Sequence, residues 1–393
     1  MKIDINKLKI VPKSVSNDFK LCVYGEPDPE IKEWIQINNI ISEQKEKYTN
    51  ITIPLGISLS DIFLEPKQFE WMDGFSPNLN KKLHVGHFSN LVLGKAFKSL
   101  GVCQKTVSIY GDTLDGEVKK EDAIKALEKH QKDFNFLTDK SLMASEVKYD
   151  GELLKDGTGD YAGTKIFEVG EDKIVGIKSN GQTSYFYQDV CLAEILKAPT
   201  LYLTGKEQCN HFKMLGMLFP ENYHIGLGLV KVSGKKMASR LGNVILIEEF
   251  IDLVKDTFVG NIQLIYNVFA GFILKSNPDV DKGINLDIIS NPKNSAGLYL
   301  SYTMARLKSA GCEFKTIDNF ESIELEFSLF KAKANLKPNI LFEALVDHAK
   351  NINTLYLSHK IIGNEENKIM FENKLSDLIL GSKKLGLFTI NNI

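Results

Sequence analysis

The 393-residue chain is poor in the devices that small or exported proteins use to hold themselves together. Its five cysteines, Cys22, Cys103, Cys191, Cys209 and Cys312, are scattered and odd in number, with no CxxC pair. That pattern predicts neither a disulfide framework nor a zinc ribbon, and reads as reduced thiols of a cytoplasmic protein. The start, Met1-Lys2-Ile3-Asp4-Ile5-Asn6-Lys7, lacks the apolar core of a signal peptide. The longest apolar stretch, Leu264 to Leu274, contains Asn267 and is too short to span a bilayer. No membrane partner is expected. A formal net charge of -2 supplies no global attraction to nucleic acid, so any RNA-binding surface must be a local cluster of Lys and Arg. No internal repeat or low-complexity tract interrupts the chain.

What is present is an ordinary soluble composition, 43% hydrophobic and 25% charged, long enough for two or three domains. Residues 1–66 are mixed and polar with weak periodicity, and read as a small appended module. From Gln68 the texture changes. A strand over Phe69 to Phe75 leads through a glycine–histidine turn into a helix from about Gly86 to Leu100. Phe88, Leu91, Val92, Ala96 and Phe97 lie near helical spacing, and Gly101 is placed to end it. Lys105 to Tyr110 reads as the next strand. Strand, helix, strand predicts an α/β fold, a Rossmann-like doubly wound parallel sheet.

The segment from about 112 to 184 breaks the rhythm and reads as an insertion with a helix near Glu121 to Gln131. Alternation resumes with a helix over Asp189 to Lys197, a strand over Thr200 to Thr204, a helix over Gln208 to Leu218 and a strand over Tyr223 to Val232. Beyond Ile247 the pattern is helical throughout. Asn291-Pro292 marks a helix start, followed by amphipathic runs near Ile340 to Leu357 and Asn367 to Leu385. The predicted division is 1–66, a catalytic domain over 67–290, and a C-terminal α-helical bundle over 291–393.

Two motifs carry the chemistry. The first is Ser76-Pro77-Asn78-Leu79-Asn80-Lys81-Lys82-Leu83-His84-Val85-Gly86-His87. A helix starting at Gly86 presents unpaired N–H groups and a positive dipole end, which favour phosphate. His84 and His87 can donate to triphosphate oxygens as charge develops at the α-phosphorus, a stabilisation that needs no enzyme nucleophile. Alone, the pair reads first as two helix-capping histidines. The second motif, Lys235-Lys236-Met237-Ala238-Ser239-Arg240-Leu241-Gly242-Asn243, is a cationic loop suited to pyrophosphate. Alone, it reads as a solvated basic turn. Together, one at the first strand–helix turn and one after the last strand, they point to nucleotide chemistry.

With these residues the chain resembles class I aminoacyl-tRNA synthetases, and among them a shortened arginyl-tRNA synthetase. Every fixed position of that family's SPNxxKxxHxGH form is present, with Lys81 as its lysine. The loop is similar to the family's KMSxRxGN form, departing from it at Ala238, with Ser239 where other class I enzymes carry lysine. Lys236 and Arg240 then carry the charge. Tyr185-Phe186-Tyr187-Gln188-Asp189 resembles the family's Tyr-x-x-x-Asp segment. A buried aspartate there can accept the guanidinium fork, which lysine could not reproduce. Gln208 and His211 resemble a Gln-x-x-His helix start, and Gly297 to Arg306 resembles the first helix of the anticodon-binding bundle.

The resemblance implies His84, His87, Lys236 and Arg240 as catalytic groups. It implies Gly86, His84, His87, Lys81, Lys236 and His211 around ATP, and Ser76, Asn78, Tyr185, Asp189 and Gln208 around L-arginine. His211 also reads as an ordinary core histidine. Implied partners are ATP with Mg²⁺, L-arginine and tRNA(Arg), with no protein metal site and no structural zinc. The expected activity is an arginine–tRNA ligase. Residues 1–66 do not resemble the family's N-terminal domain, and neither Glu146 nor Glu152 matches its Gly-Glu-Ser segment. Two other readings follow from those losses: a relative that hands the aminoacyl group to a non-tRNA acceptor, and a catalytically idle RNA-binding or regulatory protein.

Overall fold

The computed structural model describes residues 1–10, 20–53, 57–79, 81–112, 119–232, 235–236, 245–285 and 294–390. The chain forms two compact units, one from residues 1–67 with 302–385, the other from residues 68–301 with 386–390.

In the first unit, β1 (Lys9–Ile10), β2 (Lys20–Tyr24), β3 (Ile41–Gln44) and β4 (Tyr48–Thr52) make an antiparallel sheet ordered β1-β2-β4-β3. Helix α1 (Pro29–Ile37) begins where the Asp28 carboxylate accepts the Ile31 N–H at 2.8 Å, with proline at the position that needs no donor. The short α2 (Leu59–Ile62) follows the sheet. Trp34 and Phe63 fill the core beneath, and Phe327, from a helix near the other end of the sequence, packs edge-on against Phe63 at 5.9 Å. The opening segment therefore shares its core with a distant helix. Strands of two to five residues are too short to show a readable period.

The second unit is built on a parallel sheet ordered β12-β11-β5-β6-β7. Its first half runs β5 (Phe69–Asp73), α3 (Val85–Leu100), β6 (Cys103–Tyr110), α4 (Lys120–Asp133) and β7 (Lys140–Met143). A small antiparallel sheet of β8 (Leu154–Asp156), β9 (Lys165–Val169) and β10 (Asp172–Ile177) follows. The second half runs α5 (Tyr185–Leu196), β11 (Thr200–Gly205), α6 (Cys209–Leu218) and β12 (Tyr223–Leu227). Strand order reverses between β5 and β11, so the crevice beyond their carboxyl ends is the switch point where α/β sheets bind ligands. The doubly wound fold expected from the sequence is present.

Several local expectations need correction. The rhythm does not break at 112, because α4 and β7 continue the main sheet, with Val107 to Tyr110 paired to Lys140 to Met143. The inserted piece is the antiparallel sheet beyond. Helix α5 starts at Tyr185 instead of Asp189, because the Ser184 hydroxyl accepts the Tyr187 N–H and caps the helix four residues earlier. The strand expected over Tyr223 to Val232 is two strands. At Gly228 the chain passes so close to Val280 that a Cβ would lie 2.1 Å from its carbonyl oxygen. The second piece, β13 (Val230–Val232), joins another sheet with β14 (Lys235–Lys236) and β15 (Lys282–Ile284). The stretch beyond Ile247 is therefore not all helix. After α7 (Ile247–Val254) and α8 (Ile262–Leu274) comes β15, and Asn291-Pro292 lies outside the described residues. Helices α9 (Ala296–Ser309), α10 (Ile323–Asn335), α11 (Pro338–Ser358) and α12 (Glu365–Lys384) complete the C-terminal helical region. Among the described residues no helix is long and apolar enough to cross a membrane.

Candidate active site

The segment after β5 is zipped onto the end of β6 before it turns. The Ile109 N–H donates to the Ser76 hydroxyl at 2.9 Å, the Leu79 N–H to the Gly111 carbonyl at 2.8 Å, and Asn78 bridges Gly111. A Cβ at Gly111 would lie 1.8 Å from Asn78 Oδ1, so glycine there is what lets Asn78 occupy its place. Lys81, just beyond, is exposed.

His84 is the N-cap of α3 and His87 the third residue inside it. The two side chains form a reciprocal cap: His84 Nδ1 accepts the Gly86 N–H at 3.1 Å, and His87 Nδ1 accepts the His84 N–H at 3.1 Å. Their rings stack with centroids 3.9 Å apart. The helix-capping reading of the motif thus holds, and it does not compete with the phosphate reading. With both Nδ1 atoms accepting, each neutral imidazole carries its proton on Nε2, which leaves two N–H donors on one helix N-terminus. Burial pushes His84 down to about 4 and His87 to about 3; repulsion from Lys81, and for His87 first from His84, adds to this. Both rings are therefore neutral donors at neutral pH.

The exit of the lysine loop returns to this turn. Val85 N–H donates to the Ile245 carbonyl at 3.0 Å and Ile247 N–H to the Leu83 carbonyl at 3.2 Å, an antiparallel bridge of His84 with Leu246. Lys235 and Lys236 form β14, paired with Val232 and Lys231. Arg240 lies outside the described residues.

On the other side of the switch point lie two acidic groups. Asp73 ends β5, beside Tyr202 on β11, and holds the Ser76 hydroxyl in a hydrogen bond. Asp189, one turn into α5, accepts a 2.6 Å hydrogen bond from His211 Nε2 on α6. Loss of solvent raises both carboxyls. Asp73 reaches about 7, with the Ser76 bond opposing the rise and the charge of Asp189 adding to it; for Asp189, His211 opposes the rise. Tyr202 is fully buried, and its hydroxyl finds no hydrogen-bond partner among the described residues; burial and the nearby charges of Asp189 and Asp73 raise its pKa well above the ordinary value. Two carboxyls and an unsatisfied hydroxyl in one largely buried corner make a site suited to a cation with hydrogen atoms to donate.

The remaining expected residues are placed differently. Tyr185 is 57% exposed and lines a 560 Å³ cavity with Lys148, Lys178, Thr183 and Gln188, beside the inserted sheet. Gln208 is exposed at the start of α6. His211 is neither a plain core residue nor apart from the acidic groups, since it is the partner of Asp189. Asp73 and Tyr202 carry no readable motif. The one signal was position, an acid ending the first strand of a doubly wound sheet.

No protein-family model matches the chain. It is 24% identical over 340 residues to the arginine–tRNA ligase of Lactobacillus johnsonii, covering 74% of this chain and 57% of that protein. Against the arginine–tRNA ligase of Clostridium botulinum it is 23% identical over 349 residues, with 75% and 58% covered. The chain thus spans little more than half the length of these curated relatives. In fold it is similar to Thermus thermophilus arginyl-tRNA synthetase, with a TM-score of 0.68 at 14% identity, covering 98% of this chain and 96% of that one. Plasmodium falciparum arginyl-tRNA synthetase gives 0.59 at 18% identity, with 82% and 77% covered.

Proposed function

We propose that this chain, similar to arginine–tRNA ligases in sequence and to arginyl-tRNA synthetases in fold, activates L-arginine with ATP and passes it to tRNA(Arg). The observation that carries the reading is the pairing of Asp73 and Asp189 at the same switch point as the His84–His87 turn. A guanidinium is planar, cationic and rich in donors, so it satisfies two carboxylates and the Tyr202 hydroxyl together, which a lysine ammonium could not do by a fork. Ser76, bonded to Asp73, and Asn78 lie along the chain between Asp73 and the histidine turn, and would suit the polar backbone end of the amino acid.

In this reading an oxygen of the arginine carboxylate attacks the α-phosphorus, the bond to the β-phosphate breaks, and pyrophosphate leaves with the charge. The Nε2–H donors of His84 and His87 and the N-terminus of α3, at Gly86, stabilise the charge on the α-phosphate as it builds. Lys81, Lys236 and Arg240 draw the β- and γ-phosphates, and His211 serves the site by holding Asp189. Mg²⁺ would arrive on the triphosphate, since it keeps few protein ligands when phosphates supply its oxygens. A terminal ribose hydroxyl of tRNA then attacks the acyl carbon and AMP departs.

Support for an RNA acceptor comes from the helical unit. A 610 Å³ groove there is lined by Tyr302, Arg306, Tyr356, His359 and Lys360. The Arg306 guanidinium lies 3.9 Å from the Tyr356 ring centroid and donates to Asn353 at 3.0 Å. Aromatic faces beside cations suit stacked bases of single-stranded RNA.

The test is arginine-dependent ATP–pyrophosphate exchange, with and without total tRNA. Exchange under either condition supports the reading; none under both overturns it. Labelled arginine that becomes acid-precipitable on tRNA supports the acceptor. Activation without transfer favours the non-tRNA reading.

A further inference from the structure

His130, near the end of α4, is completely buried, an unusual place for an imidazole. Its Nε2 meets Glu248 Oε1 at 2.8 Å, while its Nδ1 is buried with no partner among the described residues. An apolar side chain would fill the same space without stranding a polar atom. The hydrogen bond to Glu248 is therefore the feature an imidazole supplies and a phenyl ring cannot.

Glu248 lies in the first turn of α7, two residues after Leu246. Leu246 is the residue bridged to His84, with Ile245 and Ile247 bonded to Val85 and Leu83 on either side. The neighbouring Glu249 is already committed, accepting the Leu246 N–H at 2.9 Å as the helix's own cap. A second connection runs through the core. The His130 ring lies parallel to Phe134 at 5.8 Å, Phe134 stacks on Phe88 at 4.5 Å, and Phe88 follows His87 directly. Phe88 also stacks on Phe269 at 4.3 Å and meets Phe250 of α7 edge-on at 6.3 Å. The start of α3 and the start of α7 are thus held to each other by backbone on one side and through His130 on the other.

We propose that His130 is a positioning residue for adenylate formation, acting through Glu248 to fix the start of α7 and with it the His84–His87 turn. This rests on the arginine-activation reading. His130 touches no substrate. It sets where two donors stand, and misplacing such groups by about 1 Å lowers rates by as much as about 100-fold.

The test compares His130→Phe, which keeps the ring and the stacking, with His130→Gln, whose amide can still donate to Glu248, and with Glu248→Ala. In pyrophosphate exchange, His130→Phe and Glu248→Ala lower kcat about 10–100-fold with the KM for arginine unchanged. The double variant is no worse than either single one, and His130→Gln recovers most of the rate. Unaltered kcat in both single variants, or additive losses, overturns the proposal. Hydrogen–deuterium exchange of residues 83–88 and 245–250 gives a readout independent of activity: both segments exchange faster in His130→Phe. Unchanged protection there overturns the positioning role, whereas a wild-type protein without exchange activity and with this coupling intact overturns only the assigned reaction.

Discussion

Asp189 and His211, 22 residues apart in sequence, are joined by a 2.6 Å hydrogen bond at the foot of the acidic corner. The carboxylate is thereby oriented from α6. Substituting Asp189→Asn keeps the shape and removes the charge. We expect the KM for arginine to rise about 10–100-fold, the worth of one charge-assisted hydrogen-bonded pair, with the KM for ATP unchanged. His211→Ala removes only the orienting bond and should raise the KM for arginine less. Steady-state exchange kinetics check both, and equal loss of ATP and arginine affinity would discredit the assignment.

If the proposed reading holds, the ionisation of Asp73 at about 7 gives arginine binding a pH dependence. A guanidinium needs the charged carboxylate, so below pH 7 binding must expel a proton. Affinity should fall about tenfold per pH unit there and level off above. Asp73→Asn flattens that profile. The same substitution stabilises the free protein at pH 8. A carboxyl whose folded pKa is raised destabilises increasingly as pH climbs from its unfolded value near 4 to about 7, and the full penalty persists above. Denaturant melts at pH 5 and pH 8 measure this.

His84 and His87 act on the acid side with the opposite sign. Their folded values, about 4 and about 3, lie below the ordinary 6.5. The unfolded chain thus binds more protons between those limits. The stability they contribute is complete above pH 6.5 and is lost as pH falls through that window. His87→Ala should flatten the acid limb of the stability curve. The capping loss in His84→Ala costs about 1 kcal/mol at neutral pH. Either substitution should reduce exchange kcat about 10²–10³-fold, as for a removed transition-state donor.

Gly111→Ala tests the placement of Asn78 without touching it. The new methyl would overlap Asn78 Oδ1 and force the segment off β6. We expect about 1–3 kcal/mol of destabilisation, together with a raised KM for arginine. Unchanged melting and kinetics would show that the Asn78–Gly111 bridge does not shape the site.

Elements with a long, clean period were legible. The helix over Val85–Leu100 follows from apolar spacing and a terminating Gly101, and the doubly wound sheet follows from strand, helix, strand. Lys140–Met143 was not legible as a sheet strand, being four residues with no strong alternation, nor was the break at Gly228, which exists only because Val280 lies against it. Ser184 took α5 back to Tyr185 by a cap that periodicity does not register.

The sequence by itself determined the residue types of the two motifs, because the phosphate binding proposed for them asks for residue types at a helix start and needs few distant partners. The reciprocal cap of His84 and His87 is similarly local, closed within four residues. The acidic corner was decided only by tertiary structure. Asp73, Asp189, Tyr202 and His211 come from two strands and two helices, and only the parallel order β11-β5 places them together, with Asp73 and Tyr202 withdrawn from water. Desolvation raises the two carboxyls, and no spacing in a linear chain encodes which side chains will lose their solvent together.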